Sequence, residues 1–194
     1  MRVLILHGLG GSGSDHWQAW LAERLRERGE DVSFPDLPDP DAPRLDRWLT
    51  ALQSERRPDD VVVCHSLACC LWLHHRDRGG APAARALLVA PPCRNDVPEI
   101  APFLPVPLAP GLVPEAEVWA SGDDPWCPAG AIERYAAPLG VEHQFVEGGG
   151  HLNPEAGLGP WPEALNWVVS PSGPRKLGPP ATSPHEGAKN GVET

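Results

Sequence analysis

The sequence has no long hydrophobic run, no basic stripe and no paired cysteine motif, and each absence removes a class of function. None of its apolar stretches approaches the roughly 18 to 20 residues that span a bilayer, so no membrane insertion is expected. The first residues hold one arginine and a very short apolar run ending at His7, too short for a secretory h-region, and the expected location is cytoplasmic. The formal net charge is -10, and Lys and Arg are scattered through helical stretches, so nucleic acid is not an expected partner. The five cysteines, Cys64, Cys69, Cys70, Cys93 and Cys127, form no C-x-x-C pair and no zinc-ligand spacing. Their odd number argues against a complete disulfide framework, and they read as reduced, mostly buried thiols. No H-E-x-x-H occurs among the eight histidines, so no metal is expected, and no repeat recurs at a fixed period.

What is present suits one globular domain. At 194 residues, with 41% hydrophobic and 22% charged, the chain is long enough for a single well-buried core. Its 25 prolines and 20 glycines predict many turns and a disordered piece. Short apolar runs suited to buried parallel strands recur at 3–6, 32–34, 61–64, 86–90, 117–120 and 143–146. Helical patterns at 15–28, 45–55, 67–78 and 128–137 fall between several of them, and a last one covers 160–169. This alternation predicts an α/β fold in three layers: a mostly parallel sheet of about six strands with helices on both faces. Eight prolines between 91 and 114 predict an ordered but irregular loop. From 171 to 194 the residues are Pro, Gly, Ser and charged, which predicts a disordered tail after a folded domain at 1–170.

Ser66 ends a β-branched run, Val61-Val62-Val63-Cys64-His65, and precedes a helical pattern. A serine on such a strand-turn-helix corner is held away from the sheet, where the Leu67 N–H and the helix N-terminus can stabilise an oxyanion. The usual G-x-S-x-G pattern is altered, because Cys64 and Ala68 replace both glycines. A serine in this place can also serve simply as the helix N-cap. A hydroxyl needs a base to become a nucleophile, and in an α/β-hydrolase an acid and then a histidine follow it in chain order. The run at 117–120 leads into Ser121-Gly122-Asp123-Asp124-Pro125-Trp126, and the run at 143–146 leads into Gly148-Gly149-Gly150-His151. Each presents a titratable group just after a strand, at the sheet edge where catalytic groups gather. Taken singly, the two aspartates also suit turns or caps and the histidine an ordinary loop. The ordered set favours chemistry.

The first loop, His7-Gly8-Leu9-Gly10-Gly11-Ser12-Gly13, admits two functions. The Leu9 N–H can complete the oxyanion site. Gly8, Gly10 and Gly13 also match G-x-G-x-x-G, with Asp36 at a suitable distance for a dinucleotide. Against that, Ser14 or Asp15 looks like the helix N-cap, after the last glycine. His7 adjoins the site in sequence, and Trp126 lies beside Asp124, whereas Trp17, Trp20, Trp48, Trp72 and Trp167 suit the core.

Together these marks resemble the small serine hydrolases grouped with retinoblastoma-binding protein nine and the bacterial YdeN proteins. The resemblance runs from about Arg2 to Val169 through H-G-x-G-G-S before His16-Trp17, Pro35-Asp36-Leu37-Pro38 before Trp48, His65-Ser66-Leu67, Asp123-Asp124-Pro125-Trp126 and Gly150-His151-Leu152-Asn153. It implies an α/β-hydrolase fold without a large lid and a triad of Ser66, Asp124 and His151, with Asp123 as the fallback acid. It also implies acyl transfer from a small-molecule ester or thioester to water, with no cofactor. The loop at 91–114 follows the strand after which this class inserts its cap, making Phe103, Leu104 and Leu108 the expected acyl-pocket wall beside His7 and Trp126. The alternative is a catalytically weak or inactive hydrolase fold that binds a protein partner; less favoured is a dinucleotide-binding oxidoreductase.

Overall fold

Val3 and Ile5 face one side of the first strand and Leu4 and Leu6 the other, and this alternation repeats across the sheet to give two separate core layers. The computed structural model describes residues 1–128 and 130–170, so the expected tail at 171–194 lies outside the described residues. The strands are β1 (Arg2–Leu6), β2 (Asp31–Ser33), β3 (Val61–His65), β4 (Arg85–Val89), β5 (Ala116–Ala120) and β6 (Glu142–Phe145). They form one sheet in the order β2-β1-β3-β4-β5-β6, and every described pairing is parallel. The central strands are buried on both faces, which is why their sequences read as continuous apolar runs.

Two helices cover one face. From α1 (Trp17–Glu27), Trp17, Leu21 and Leu25 recur at helical spacing and bury against Val3, Ile5 and Val63, beside Ala164, Trp167 and Val168 of the C-terminal helix. The helices α2 (Leu45–Glu55) and α3 (Leu67–Asp77) cover the other face, with Trp48, Leu52, Leu71 and Trp72 packed in one layer with Leu4, Val62 and Leu88. The pattern predicted at 128–137 is instead a π-helical stretch, Ile132–Ala136, running into the short α4 (Ala137–Leu139). Pro138 has no N–H to continue the α-helical ladder there. The C-terminal helix is α5 (Pro162–Val169). Among the described residues no helix is long and apolar enough to cross a membrane.

The proline-rich loop holds only a short turn of 3-10 helix at Ala101–Phe103. Cys93 in this loop forms a disulfide with Cys127 in the loop after β5, across a Cα separation of 4.8 Å. The expectation of reduced thiols therefore fails for this pair. An odd cysteine count excludes complete pairing but not one bridge, and β4 and β5 are neighbours in the sheet, which brings their exit loops together. Cys64, Cys69 and Cys70 are buried free thiols.

The sheet order reverses between β1 and β3, since the chain adds β2 on one side of β1 before returning to the other. Loops leaving β1 and β3 therefore open a crevice at the C-terminal ends of the strands, where ligands of open α/β sheets bind.

Candidate active site

Ser66 turns the chain from β3 into α3 at φ 54° and ψ -122°. A non-glycine residue in this region stores roughly 1–3 kcal/mol of strain and persists only where its surroundings fix it. Here the Ser66 N–H donates to the Val89 carbonyl at 2.8 Å, which ties the turn to β4. The hydroxyl makes no capping bond to α3 and lies 2.9 Å from His151 Nε2. Cys64 and Ala68, the residues replacing the glycines, are completely buried within the α2 and α3 layer, so the corner forms without glycine at either flank.

His151 Nδ1 lies 3.0 Å from both oxygens of Asp124, a carboxylate only 1% exposed. A carboxylate only accepts, so Nδ1 carries the proton and Nε2 is left to accept from the Ser66 hydroxyl. Asp124 also accepts from the Trp126 N–H at 2.8 Å, which fixes its orientation. Asp123 does something else. It accepts from the Gly150 N–H at 3.0 Å and from the Ser121 hydroxyl, bracing the loop that carries the histidine. The Ser121 bond, with that from Gly150, holds the exposed Asp123 carboxyl below the usual carboxylate range.

His65 contributes in a way the sequence reading missed. Its Nε2–H donates to the His151 carbonyl at 3.0 Å, joining the serine corner to the backbone of the histidine loop. Burial pushes its pKa well below the ordinary histidine value, so the ring is neutral. Its place beside Ser66 was visible, but nothing in the 86-residue separation signals the contact.

The glycine loop packs directly on the corner. A Cβ at Gly8 would lie 2.7 Å from Ser66 Cβ and 3.1 Å from the His65 carbonyl oxygen, so only glycine allows this approach. His7 accepts from the Leu37 N–H through Nε2 and donates from Nδ1 to the Gly8 carbonyl, both at 2.8 Å. It clamps the loop from behind. Among the described residues, neither the Leu9 N–H nor the Leu67 N–H meets a hydrogen-bond acceptor. The N-cap of α1 is His16, not Ser14 or Asp15, because its Nδ1 accepts from the Gln18 N–H at 3.2 Å and so satisfies a first-turn donor.

A cavity of about 320 Å³ opens over Ser66, with Leu9, His16, Ile100, Trp126 and His151 in its wall. Of the expected pocket residues, Trp126 lines it and four do not. His7 is buried behind the loop by its two backbone bonds. Phe103 is drawn into the core edge-on against Trp48, at 5.3 Å between ring centres. Leu104 and Leu108 face a separate cavity beside Arg134 and Tyr135. Ile100 is the residue of the proline-rich loop that reaches the wall over Ser66.

A hydroxyl bonded to an imidazole that is itself bonded to a buried carboxylate can lose its proton as it attacks a carbonyl. Comparison with known proteins bears on the family of the chain. YdeN of Bacillus subtilis (strain 168), described as a hydrolase, is 37% identical over 71 residues, which is 35% of this chain and 37% of that protein. The aligned part of the chain thus spans little more than a third of that relative's length. The solved structure of the B. subtilis ydeN gene product superposes with a TM-score of 0.75 at 23% identity, covering 87% of this chain and 96% of that one. A YdeN-like hydrolase from Pectobacterium atrosepticum gives 0.71 at 26% identity, covering 86% and 88%. The family model described as serine hydrolase matches residues 3–170. The chain therefore belongs to the serine hydrolase family.

Proposed function

We propose that this protein hydrolyses a small ester or thioester through an acyl-enzyme formed on Ser66. The observation that carries this reading is the unbroken path from Asp124 through His151 to Ser66, at 3.0 and 2.9 Å, ending in an open cavity. Ser66 Oγ attacks the carbonyl carbon while His151 Nε2 takes its proton, and Asp124 stabilises the imidazolium that forms. The tetrahedral oxyanion is held by the N–H groups of Leu67 and Leu9, and its collapse expels the alcohol or thiol with the proton returned by His151. Water then attacks the acyl-enzyme with His151 again as base, releasing the acid and restoring Ser66. This sequence of steps requires no cofactor.

A fluorophosphonate probe tests the reading. The wild type should be labelled and Ser66→Ala should not, and nitrophenyl ester hydrolysis should fall by about 10³-fold or more in the variant. Equal labelling of both would remove Ser66 as nucleophile. A folded wild type that neither labels nor turns over any ester would favour the protein-binding alternative.

A further inference from the structure

We propose that His16 is a specificity-determining residue of this cavity, presenting an Nε2–H donor that selects short acyl groups carrying a hydrogen-bond-accepting oxygen. The inference rests on the hydrolase reading above and adds a substrate class to it.

Four observations converge on this imidazole. Its tautomer is fixed, since Nδ1 accepts from the Gln18 N–H and Nε2 must then carry the proton. The ring is anchored by the start of α1. Gln18 is fully buried, donates to the Leu6 carbonyl at 3.0 Å and accepts from the Ser12 hydroxyl at 2.8 Å. The residue is 6% exposed, and what exposure it has is at the cavity over Ser66. No described residue accepts from Nε2, so a substrate oxygen entering the cavity can take up this donor.

Its surroundings place the ring in the same cavity wall as the reacting centre. The His16 ring lies 4.9 Å from the His65 ring, which is 5.1 Å from His151, and His65 precedes Ser66 in the chain. Desolvation by burial lowers the His16 pKa to about 4, so the ring is a neutral donor at pH 7 and does not compete with His151 for the proton. Asp15 is adjacent and exposed, yet it makes no hydrogen bond to the ring and offsets the desolvation only in part. While an acyl group stays on Ser66, an oxygen near its carbonyl can accept from Nε2–H, whereas a methylene in the same place leaves the donor unmet.

The experiment compares p-nitrophenyl methoxyacetate with p-nitrophenyl butyrate, in which an ether oxygen and a methylene exchange places. Each kcat/KM is divided by the alkaline hydrolysis rate of the same ester, to remove the difference in intrinsic reactivity. The wild type should favour methoxyacetate about ten-fold after this correction. His16→Asn and His16→Ser each keep an oxygen that can cap the Gln18 N–H while removing the imidazole donor, and both should bring the ratio near one. A corrected wild-type ratio near one, or a preference retained in both variants, overturns the assignment and leaves the hydrolase reading intact. No turnover of either ester by folded wild type overturns both.

Discussion

Gly8 is the position where a single atom decides whether the serine corner and the first loop can meet. The nearest atom to an added Cβ is Ser66 Cβ at 2.7 Å, and the next is a backbone carbonyl, so no flexible side chain can swing aside to relieve the contact. Gly8→Ala should therefore push the Leu9 N–H away from the oxyanion position rather than unfold the chain. The expected result is a fall in kcat of about 10²-fold, the cost of losing one oxyanion donor, with a smaller change in KM. Steady-state kinetics on a nitrophenyl ester checks this, and unchanged kcat would remove Leu9 from the proposed mechanism. The aspartates show the same dependence on individual atoms. Asp123 and Asp124 are adjacent in sequence, yet one faces the imidazole and the other braces the loop beneath it.

At the scale of elements, β5 and α5 are joined by a buried polar knot well away from Ser66. Glu117, 5% exposed near the start of β5, accepts from the indole N–H groups of Trp119 at 2.7 Å and Trp167 at 2.6 Å. Arg85 of β4 lies over the Trp167 ring at 4.1 Å and donates to the Trp167 carbonyl. These contacts sit at the N-terminal ends of the strands, opposite the edge where the catalytic loops leave. Trp167→Phe should leave the Glu117 carboxylate with one indole donor in place of two and destabilise the fold by about 1–3 kcal/mol. Urea denaturation would measure the loss, while ester turnover below the unfolding transition should be unaffected. A parallel fall in kcat would mean that the knot and the site are coupled. Trp167 was legible as core from its place in a helical pattern, but its acidic partner was not: a glutamate in a strand sequence reads as exposed, and only the sheet shows that position covered.

Across the whole molecule, buried histidines set the response to acid. His7, His16, His65 and His75 all have pKa values lowered by burial, His16 to about 4 from 6.5. Each ring is neutral when folded and takes up a proton more readily when unfolded. Between the folded value and about 6.5 the unfolded state binds more protons, so stability is full above that window and falls as pH drops through it. For His16 alone the shift corresponds to about 3 kcal/mol lost by pH 4. Urea midpoints measured from pH 7.5 down to pH 4.5 should therefore decline steadily, and His16→Asn should make the decline shallower. A flat profile would contradict the neutral, buried state of these rings.

By itself the sequence determined the alternation of strands and helices, the parallel sheet and the chain order in which a serine, two aspartates and a histidine follow strands. These are properties of local periodicity and of direction along the chain, and parallel strands necessarily send their exit loops to one edge. Only the tertiary structure decided which aspartate meets His151, that His65 holds the histidine loop, that Cys93 pairs with Cys127, and that Ile100 rather than Phe103 or Leu104 reaches the wall over Ser66. Each of these depends on distances between loops leaving different strands. Such distances are set by sheet order and by packing between layers, and periodicity within a segment carries no information about them.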